Sequence, residues 1–235
     1  MDKFLCIIPA RGGSKGLPRK NVKILIDKPL IAWTIDSTLK SKYIDRLVVS
    51  TDDPEIAKIS KKYGANVIYR PAELAGDTTS TMDVITHTLE FLKNNGNYIP
   101  EYVALLQCTS PLRDENHIDE AIESILNNKI KVESLISVTK EEHPPWWLRV
   151  IDKEGYIKRY FEFNLIKHTR RQDCIDLYRP NGAIYIARTE LLKTLKSFQT
   201  DRTVPYIMDH VSSIDIDTEF DFEIAEFFMR RSKKY

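Results

Sequence analysis

Short β-type runs alternate with helical patterns along most of this chain, and this alternation limits the possible folds more than any other feature. A predicted strand at Phe4–Ile8 is followed by a helix at Leu30–Leu39 and a strand at Leu47–Ser50. The alternation continues with helices predicted at Pro54–Tyr63, Thr81–Lys93 and Ile118–Leu126 and strands at Asn66–Tyr69, Val103–Leu106 and Leu135–Val138. This order is typical of a sheet covered by helices on both faces. We therefore predict an α/β fold with three layers and a doubly wound, mainly parallel sheet.

The alternation breaks between Lys140 and Pro180. Residues 146–180 contain seven aromatic side chains beside eight Lys or Arg residues, an enrichment typical of protein interfaces. We interpret 140–180 as an insertion in a single domain of residues 1–235, and predict that it forms a dimerisation arm; a small hairpin packed on its own domain is the alternative. Beyond it the sequence predicts a strand at Ala183–Ile186, a helix at Glu190–Leu195, a short strand flanked by Ile214 and Ile216, and a helix at Phe220–Met229.

Charge and cysteine content limit the function classes. The chain has 35 Lys and Arg against 34 Asp and Glu, so it lacks the overall positive charge that attracts nucleic acid or an anionic membrane. No apolar stretch approaches the roughly 18 residues that a membrane-spanning helix needs. Three scattered cysteines without a CxxC pattern fit reduced thiols better than a disulfide framework. These features predict a cytoplasmic protein.

The loop after the first predicted strand is rich in glycine and positive charge. It runs Pro9-Ala10-Arg11-Gly12-Gly13-Ser14-Lys15-Gly16-Leu17-Pro18-Arg19-Lys20-Asn21. Ligands of α/β sheets bind at the carboxyl ends of strands, and glycines let backbone N–H groups turn inward around phosphate oxygens. Five basic residues precede the next acidic residue, Asp27: Arg11, Lys15, Arg19, Lys20 and Lys23. The loop therefore predicts a polyphosphate site, with a solvated basic loop as the alternative. It contains neither GxGxxG nor GxxxxGK[ST], so it is not a dinucleotide fingerprint or a Walker A loop.

Two aspartates, Asp215 and Asp217, flank Ile216 near the other end of the chain. On an extended strand, alternate side chains point to the same face, so both carboxylates would face one way and Ile216 would face the core. Two neighbouring carboxylates suit Mg²⁺, which completes its coordination with water and substrate phosphates. We predict a magnesium site here; two exposed aspartates preceding a helix are the alternative.

Five segments in order resemble the motifs of the CMP-sialic acid synthetases (acylneuraminate cytidylyltransferases). The glycine loop resembles the first motif. The other four are Arg70–Ala75 with Asp77-Thr78, Leu105–Arg113, Arg179–Ile186 and Ser213–Thr218. The resemblance covers essentially the whole chain, implies a fold of the nucleotide-diphospho-sugar transferase type and supports Mg²⁺ as cofactor. The predicted dimerisation arm leads us to expect a homodimer. It also implies an enzyme that couples CTP to a nine-carbon 2-keto sugar acid, N-acetylneuraminate or a related nonulosonic acid, and releases pyrophosphate.

The resemblance assigns roles to individual residues. Those implied to bind the nucleotide are Arg11, Gly12, Ser14, Lys20, Asn21, Arg70 and Thr81. Those implied to bind the sugar acid are Gln107, Arg171 and Tyr185. Those implied to be catalytic are Arg11, Lys20, Asp215 and Asp217, of which the two aspartates bind the metal.

Alternatives remain for the acceptor and for the activity. Kdo cytidylyltransferases share the fold, but their first loop typically runs Ser-Thr-Arg-Leu-Pro-Gly-Lys, so the sialic acid branch is favoured. Trp146 stands where sialic acid enzymes carry a basic residue, which raises a legionaminic or pseudaminic acid as the substrate. A non-catalytic nucleotide or sugar sensor would have no need of both the basic loop and the paired aspartates.

Overall fold

The computed structural model describes residues 2–14, 16–76, 79–128, 132–143, 145–160 and 176–232. The α-helices in this part of the chain are α1 (Leu30–Lys40), α2 (Pro54–Lys62), α3 (Thr81–Gly96), α4 (Glu115–Leu126), α5 (Thr189–Leu195) and α6 (Glu219–Ser232). The strands are β1 (Phe4–Pro9), β2 (Ile24–Leu25), β3 (Lys28–Pro29), β4 (Ile44–Thr51), β5 (Asn66–Tyr69), β6 (Tyr102–Leu106), β7 (Ser134–Lys140), β8 (Arg149–Ile151), β9 (Ile157–Arg159), β10 (Tyr178–Arg188) and β11 (Thr203–Met208).

A seven-stranded sheet forms the centre of the fold, in the order β11-β7-β10-β6-β1-β4-β5. β1 pairs in parallel with both β4 and β6, β4 with β5, and β7 with β11. β10 runs antiparallel to both of its neighbours, β6 and β7. The prediction of a mainly parallel sheet is confirmed.

Helices cover both faces of the sheet, so the prediction of three layers is also confirmed. On one face, α1, α2 and α4 bury apolar side chains such as Ile31, Ile56 and Ile122 against β1 and β6. On the other face, α3 contributes Ile85 and α5 contributes Leu192. α6 packs in a third cluster with the loop that follows β1. In α4 the buried positions recur at helical spacing, which is why this sequence forms a helix with one face in the core.

Two elements near the carboxyl end differ from the sequence prediction. β11 was not predicted because Pro205 interrupts its apolar run, and a proline cannot donate to a strand ladder. The structure accommodates it because β11 lies at the edge of the sheet, where β7 is its one partner among the described strands. The short strand predicted around Ile214 and Ile216 is wrong, since the chain there joins no sheet.

The predicted insertion contains a small antiparallel hairpin formed by β8 and β9. All six residues of these two strands are exposed. β10 begins at Tyr178 and pairs with the end of β7, so the last residues of the predicted insertion belong to the central sheet. Residues 161–175, and with them Arg171, lie outside the described part of the chain. Among the described helices, none has the length and apolar character needed to cross a membrane.

Candidate active site

A cavity of about 520 Å³ opens at the carboxyl ends of β1 and β6. The chain leaves β1 toward β4 on one side and returns to β6 on the other, so the strand order reverses here. In open α/β sheets this reversal leaves a crevice in which ligands bind. The cavity is lined by Pro9, Arg11, Ser14, Gly16, Lys20, Asn21, Arg70, Gly76, Thr79, Thr81, Val84, Gln107, Cys108, Thr109, Asp215 and Asp217. Nine of the twelve residues predicted from the sequence are therefore in one place.

Two glycines allow the loop after β1 to pack closely against other segments. A Cβ on Gly16 would lie 2.4 Å from the backbone oxygen of Asp217, and a Cβ on Gly12 would lie 2.7 Å from Asp53 Oδ2. The Gly12 N–H donates to Asp52 Oδ1 at 3.2 Å, and Gly12 does not line the cavity. The contact of Gly12 with the nucleotide stays a prediction. The close packing of Gly12 against Asp53 explains why this position cannot accommodate a side chain.

The basic residues of this loop do not all face the cavity. Arg11 and Lys20 line it. Arg19 instead forms ion pairs with Asp53 and Glu55 at the start of α2, and Lys23 pairs with Glu219 at the start of α6. Lys15 lies outside the described residues. Of the four described basic residues in this stretch, two therefore present their charge to a ligand in the cavity, which is fewer than the sequence suggests.

Lys20 joins the glycine loop to the acidic segment. Its Nζ donates to the backbone oxygen of Ile216 at 2.7 Å and to Asp217 Oδ1 at 3.0 Å. Next to it, Asn21 is buried and donates from Nδ2 to the backbone oxygen of Arg11 at 3.0 Å, which fixes the turn of the loop. A cation and a carboxylate from opposite ends of the sequence are therefore held together.

The acidic segment follows the predicted alternation even though it is not a strand. Ile216 is fully buried, while Asp215 and Asp217 both line the cavity. One backbone hydrogen bond, from the Ile216 N–H to the oxygen of Thr109 at 2.8 Å, fixes the segment beside the loop after β6. The two carboxylates face the same cavity, as predicted.

The chemistry of Asp215 fits a bound divalent cation. Its Oδ1 is buried and has no hydrogen-bond partner among the described residues. Burial raises the pKa of the Asp215 carboxyl, since a buried carboxylate is poorly solvated. In the described part of the chain, no group of three or more His, Cys, Asp or Glu residues could hold a metal. A Mg²⁺ ion bound here would have two protein carboxylates and would take its remaining ligands from water and phosphate oxygens, as Mg²⁺ commonly does.

Arg70 and Thr81 line the end of the cavity nearest β4 and α3. Arg70 is buried after β5, where Nη2 donates to the Ser50 oxygen at 2.8 Å and Nη1 to the Leu74 oxygen at 3.3 Å. Burial lowers the pKa of its guanidinium. Thr81 begins α3, directly after the Ser80 cap. Arg70 and Thr81 thus form part of the cavity wall, and both are residues that the family resemblance implies to bind the nucleotide.

Gln107 and Tyr185 have different positions relative to the cavity. Gln107 lines it at the end of β6, and its Oε1 lies 2.8 Å from the position of a Cβ on Gly182. Tyr185 does not line it; its ring packs against Phe198 at 5.6 Å between ring centres. Burial, with a contribution from the charge of Asp215, raises the pKa of Tyr185. The contact of Tyr185 with an acceptor stays a prediction, as does that of Arg171.

A buried polar cluster around Asn181 supports the acidic segment and was missed from the sequence. Asn181 Nδ2 donates to Ser213 Oγ at 2.8 Å, and its Oδ1 accepts from Ser137 Oγ at 2.5 Å. Ser137 Oγ in turn accepts the Ile184 N–H at 2.7 Å. The register of β10 against β7 shifts here. The Pro-Asn-Gly sequence was the available signal, because Gly182 adopts a φ of 77° that other residues rarely adopt.

Known proteins resemble this chain over nearly its whole length. A family model described as cytidylyltransferase matches residues 5–230. The N-acylneuraminate cytidylyltransferase of Escherichia coli O18:K1:H7 is 40% identical over 95% of this chain and 51% of that protein. The CMP-N,N'-diacetyllegionaminic acid synthase of Legionella pneumophila is 37% identical over 99% of this chain and 98% of that protein. The chain spans about half the length of the N-acylneuraminate cytidylyltransferases that it matches.

A solved structure of CMP:2-keto-3-deoxy-manno-octonic acid synthetase complexed with CTP is similar in fold. Its TM-score is 0.72 at 17% identity, and the match covers 98% of this chain and 100% of the other. At this identity the likeness is one of fold, and it agrees with the predicted nucleotide-diphospho-sugar transferase architecture.

Proposed function

The chain belongs to the cytidylyltransferase family, and we propose that it transfers CMP from CTP to a nonulosonic acid, a nine-carbon 2-keto sugar acid, with release of pyrophosphate. The observation that carries this proposal is the meeting of Arg11 and Lys20 with Asp215 and Asp217 in one cavity at the reversal of the strand order. The names of the similar proteins from Escherichia coli and Legionella pneumophila support a nonulosonic acid as the acceptor.

The reaction would be a displacement at the α-phosphorus of CTP. The anomeric hydroxyl oxygen of the sugar acid forms a bond to phosphorus and gives up its proton to solvent, while the bond from phosphorus to the pyrophosphate oxygen breaks and pyrophosphate leaves with the electron pair. Arg11 and Lys20 hold the phosphates and offset the charge that grows on the transferred group. Ser14 and Asn21 orient the triphosphate, and Arg70 with Thr81 orients the cytidine. Mg²⁺ bound by Asp215 and Asp217 would supply further charge neutralisation at the phosphates.

An acceptor panel tests this function directly. Pyrophosphate release would be measured with CTP and each of N-acetylneuraminate, N,N'-diacetyllegionaminate, pseudaminate and Kdo, with and without EDTA. We expect turnover with at least one nonulosonic acid, little with Kdo, and loss of turnover in EDTA that added Mg²⁺ restores. Preference for Kdo would correct the acceptor. If the protein bound CTP but showed no turnover with any acceptor, it would be a sensor and not an enzyme.

Gly182 gives a test of the acceptor side of the cavity. A Cβ there would be strained at positive φ and would meet Gln107 Oε1. Gly182→Ala should therefore lower kcat/KM for the sugar acid by about tenfold or more, since small misplacements of positioning groups are costly. Gly155→Ala is the matched control, because Gly155 also has positive φ but has open space around it. Equal kinetic effects of the two variants would contradict the placement of Gln107.

We extend the proposal to a homodimer built through the hairpin of β8 and β9. An isolated two-stranded hairpin is only marginally stable, yet this one exposes Val150, Ile151 and Ile157 together. A second copy of the chain would bury this surface. Ile157→Glu should shift the mass in solution from dimer to monomer, measured by light scattering, whereas Lys153→Glu in the hairpin turn should not. A parent protein that is monomeric in solution would contradict the predicted dimerisation arm.

The cysteines support a reducing, cytoplasmic compartment as part of the proposal. Cys6 and Cys108 are buried and free, and Cys174 lies outside the described residues. Burial raises the pKa of both described thiols to about 12, so they stay protonated and inert at neutral pH.

A further inference from the structure

Arg113 is a fully buried arginine directly behind the cavity. It is 1% exposed and lies in the segment between β6 and α4. Its Nη1 donates to the backbone oxygens of Gln107 at 3.1 Å and Ala183 at 2.9 Å, and its Nη2 donates to Thr34 Oγ1 at 2.8 Å. One side chain thus ties the end of β6 to β10 and to α1.

The charge of Arg113 has no counter-ion in the part of the chain that the structure describes. Its three acceptors are neutral, and among the described residues the one carboxylate that acts on it electrostatically, Asp114, forms no ion pair with it. Burial lowers the pKa of the guanidinium to about 10, which leaves it protonated at neutral pH. The nearby thiols of Cys6 and Cys108 are neutral. Proteins rarely bury an unpaired charge, because the lost hydration is costly.

This charge lies on the inner side of the cavity wall. Gln107, Cys108 and Thr109 line the cavity, and Arg113 binds the backbone of the first of them. Both Arg113 and Lys20 act electrostatically on the Cys108 thiol, so the fully buried cation and the cavity-lining one are both close to this residue of the wall. A charge in such a poorly hydrated wall acts more strongly on a bound anion than a charge at the surface does.

We propose that Arg113 is a positioning residue that fixes the wall at Gln107 and supplies a permanent positive charge behind it, so that the cavity binds the triphosphate of CTP more tightly than an uncharged nucleoside. This inference rests on the proposed function for the identity of the nucleotide. The proposal gives Arg113, the last residue of the third motif, a role in selecting a charged ligand.

Binding of CTP and of cytidine by Arg113→Met separates the charge from the scaffold. Affinities would be measured by calorimetry in EDTA, so that no metal contributes. Methionine fills much of the same volume, and apolar replacements of buried charges often preserve the fold. We expect the Kd for CTP to rise at least about tenfold and the Kd for cytidine to stay within about twofold of the parent value. Arg188→Met, at the opposite end of β10 and paired with Glu101, is the control and should change neither.

Arg113→Lys provides a second test that does not depend on the fate of the methionine variant. A buried lysine loses its proton more easily than arginine. Its preference for CTP over cytidine, divided by that of the parent at the same pH, should therefore fall as pH rises. The ionisable groups around this position are the two thiols, Lys20 and Asp114. Asp114 is partly exposed and is present in both proteins. Dividing the CTP preference of the variant by that of the parent therefore removes any effect of groups that titrate in both.

Two outcomes would overturn the inference: equal losses of CTP and cytidine affinity in Arg113→Met, or a CTP preference of Arg113→Lys that matches the parent at every pH. Failure of the proposed function is distinguishable, because the parent protein itself would then fail to bind CTP or to release pyrophosphate.

Discussion

Replacing Asp215 with Asn should lower kcat on the order of 10²- to 10³-fold without weakening the fold. The loss of activity is expected because Asp215 faces the cavity beside Asp217 and would hold the metal. Stability should be preserved or improved, since Asp215 Oδ1 is buried with no hydrogen-bond partner among the residues that the structure describes, and burial already raises the pKa of this carboxyl. A neutral amide of the same shape removes the cost of burying a negative charge.

Two measurements on the same variant check this result. Steady-state kinetics over a range of Mg²⁺ concentrations would give kcat and the metal requirement, and thermal unfolding without metal would give Tm. Asp201→Asn, in an exposed turn before β11, is the control and should alter neither. If Asp215→Asn kept half of the parent kcat with an unchanged Mg²⁺ requirement, the assignment of the metal site would be wrong. A large fall in Tm would instead assign Asp215 a structural role.

Replacing Lys20 with Met should lower kcat on the order of 100-fold. Lys20 lies in the loop after β1, and its side chain contacts the acidic segment at the Ile216 oxygen and Asp217 Oδ1. Its removal takes a positive charge from the cavity and also releases Asp217. We therefore expect a larger effect on kcat than on the KM for CTP, because the charge that develops during transfer is no longer offset.

Lys23 offers a matched control three residues away on the same loop. Its ammonium group pairs with Glu219 outside the cavity and lies 4.5 Å from the centre of the Phe222 ring. Lys23→Met should therefore leave kcat within about twofold of the parent value, as surface ion pairs contribute little. Circular dichroism would establish that both variants are folded. Equal kinetic losses at the two positions would mean that the loop acts through its net charge and not through the contacts of Lys20.

The cavity also depends on ion pairs that hold the surrounding loops. Asp53 caps α2 by accepting the N–H groups of Glu55 and Ile56, and the same carboxylate binds Arg19. This arrangement fixes the far end of the glycine loop to a helix and explains why Arg19, with a left-handed backbone at φ 57°, points away from the cavity. The glycine loop would therefore have a fixed conformation before the ligand binds.

Much of the fold could be predicted because its signals are local. The run Phe4–Ile8 lies within β1, and the helical spacing around Ile118 and Ile122 produces α4. β11 could not be predicted in this way, because its proline is tolerated only through its place at the sheet edge. The segment around Ile216 was predicted as a strand from its alternation, but it is held outside the sheet by hydrogen bonds to the Thr109 oxygen and from Lys20 Nζ.

The sequence by itself determined the chemical inventory of the site: a glycine-rich basic loop after the first strand and a pair of carboxylates that alternate with a buried isoleucine. Only the tertiary structure decided which cations serve the cavity. Lys20 meets Asp217 across 197 positions of sequence, whereas Arg19 and Lys23 are held by carboxylates elsewhere. The buried charge of Arg113 was equally invisible, although its motif was noticed. The physical reason is that the strength of a charge depends on its partners and on its distance from water, and both are set by contacts between segments that lie far apart in the chain.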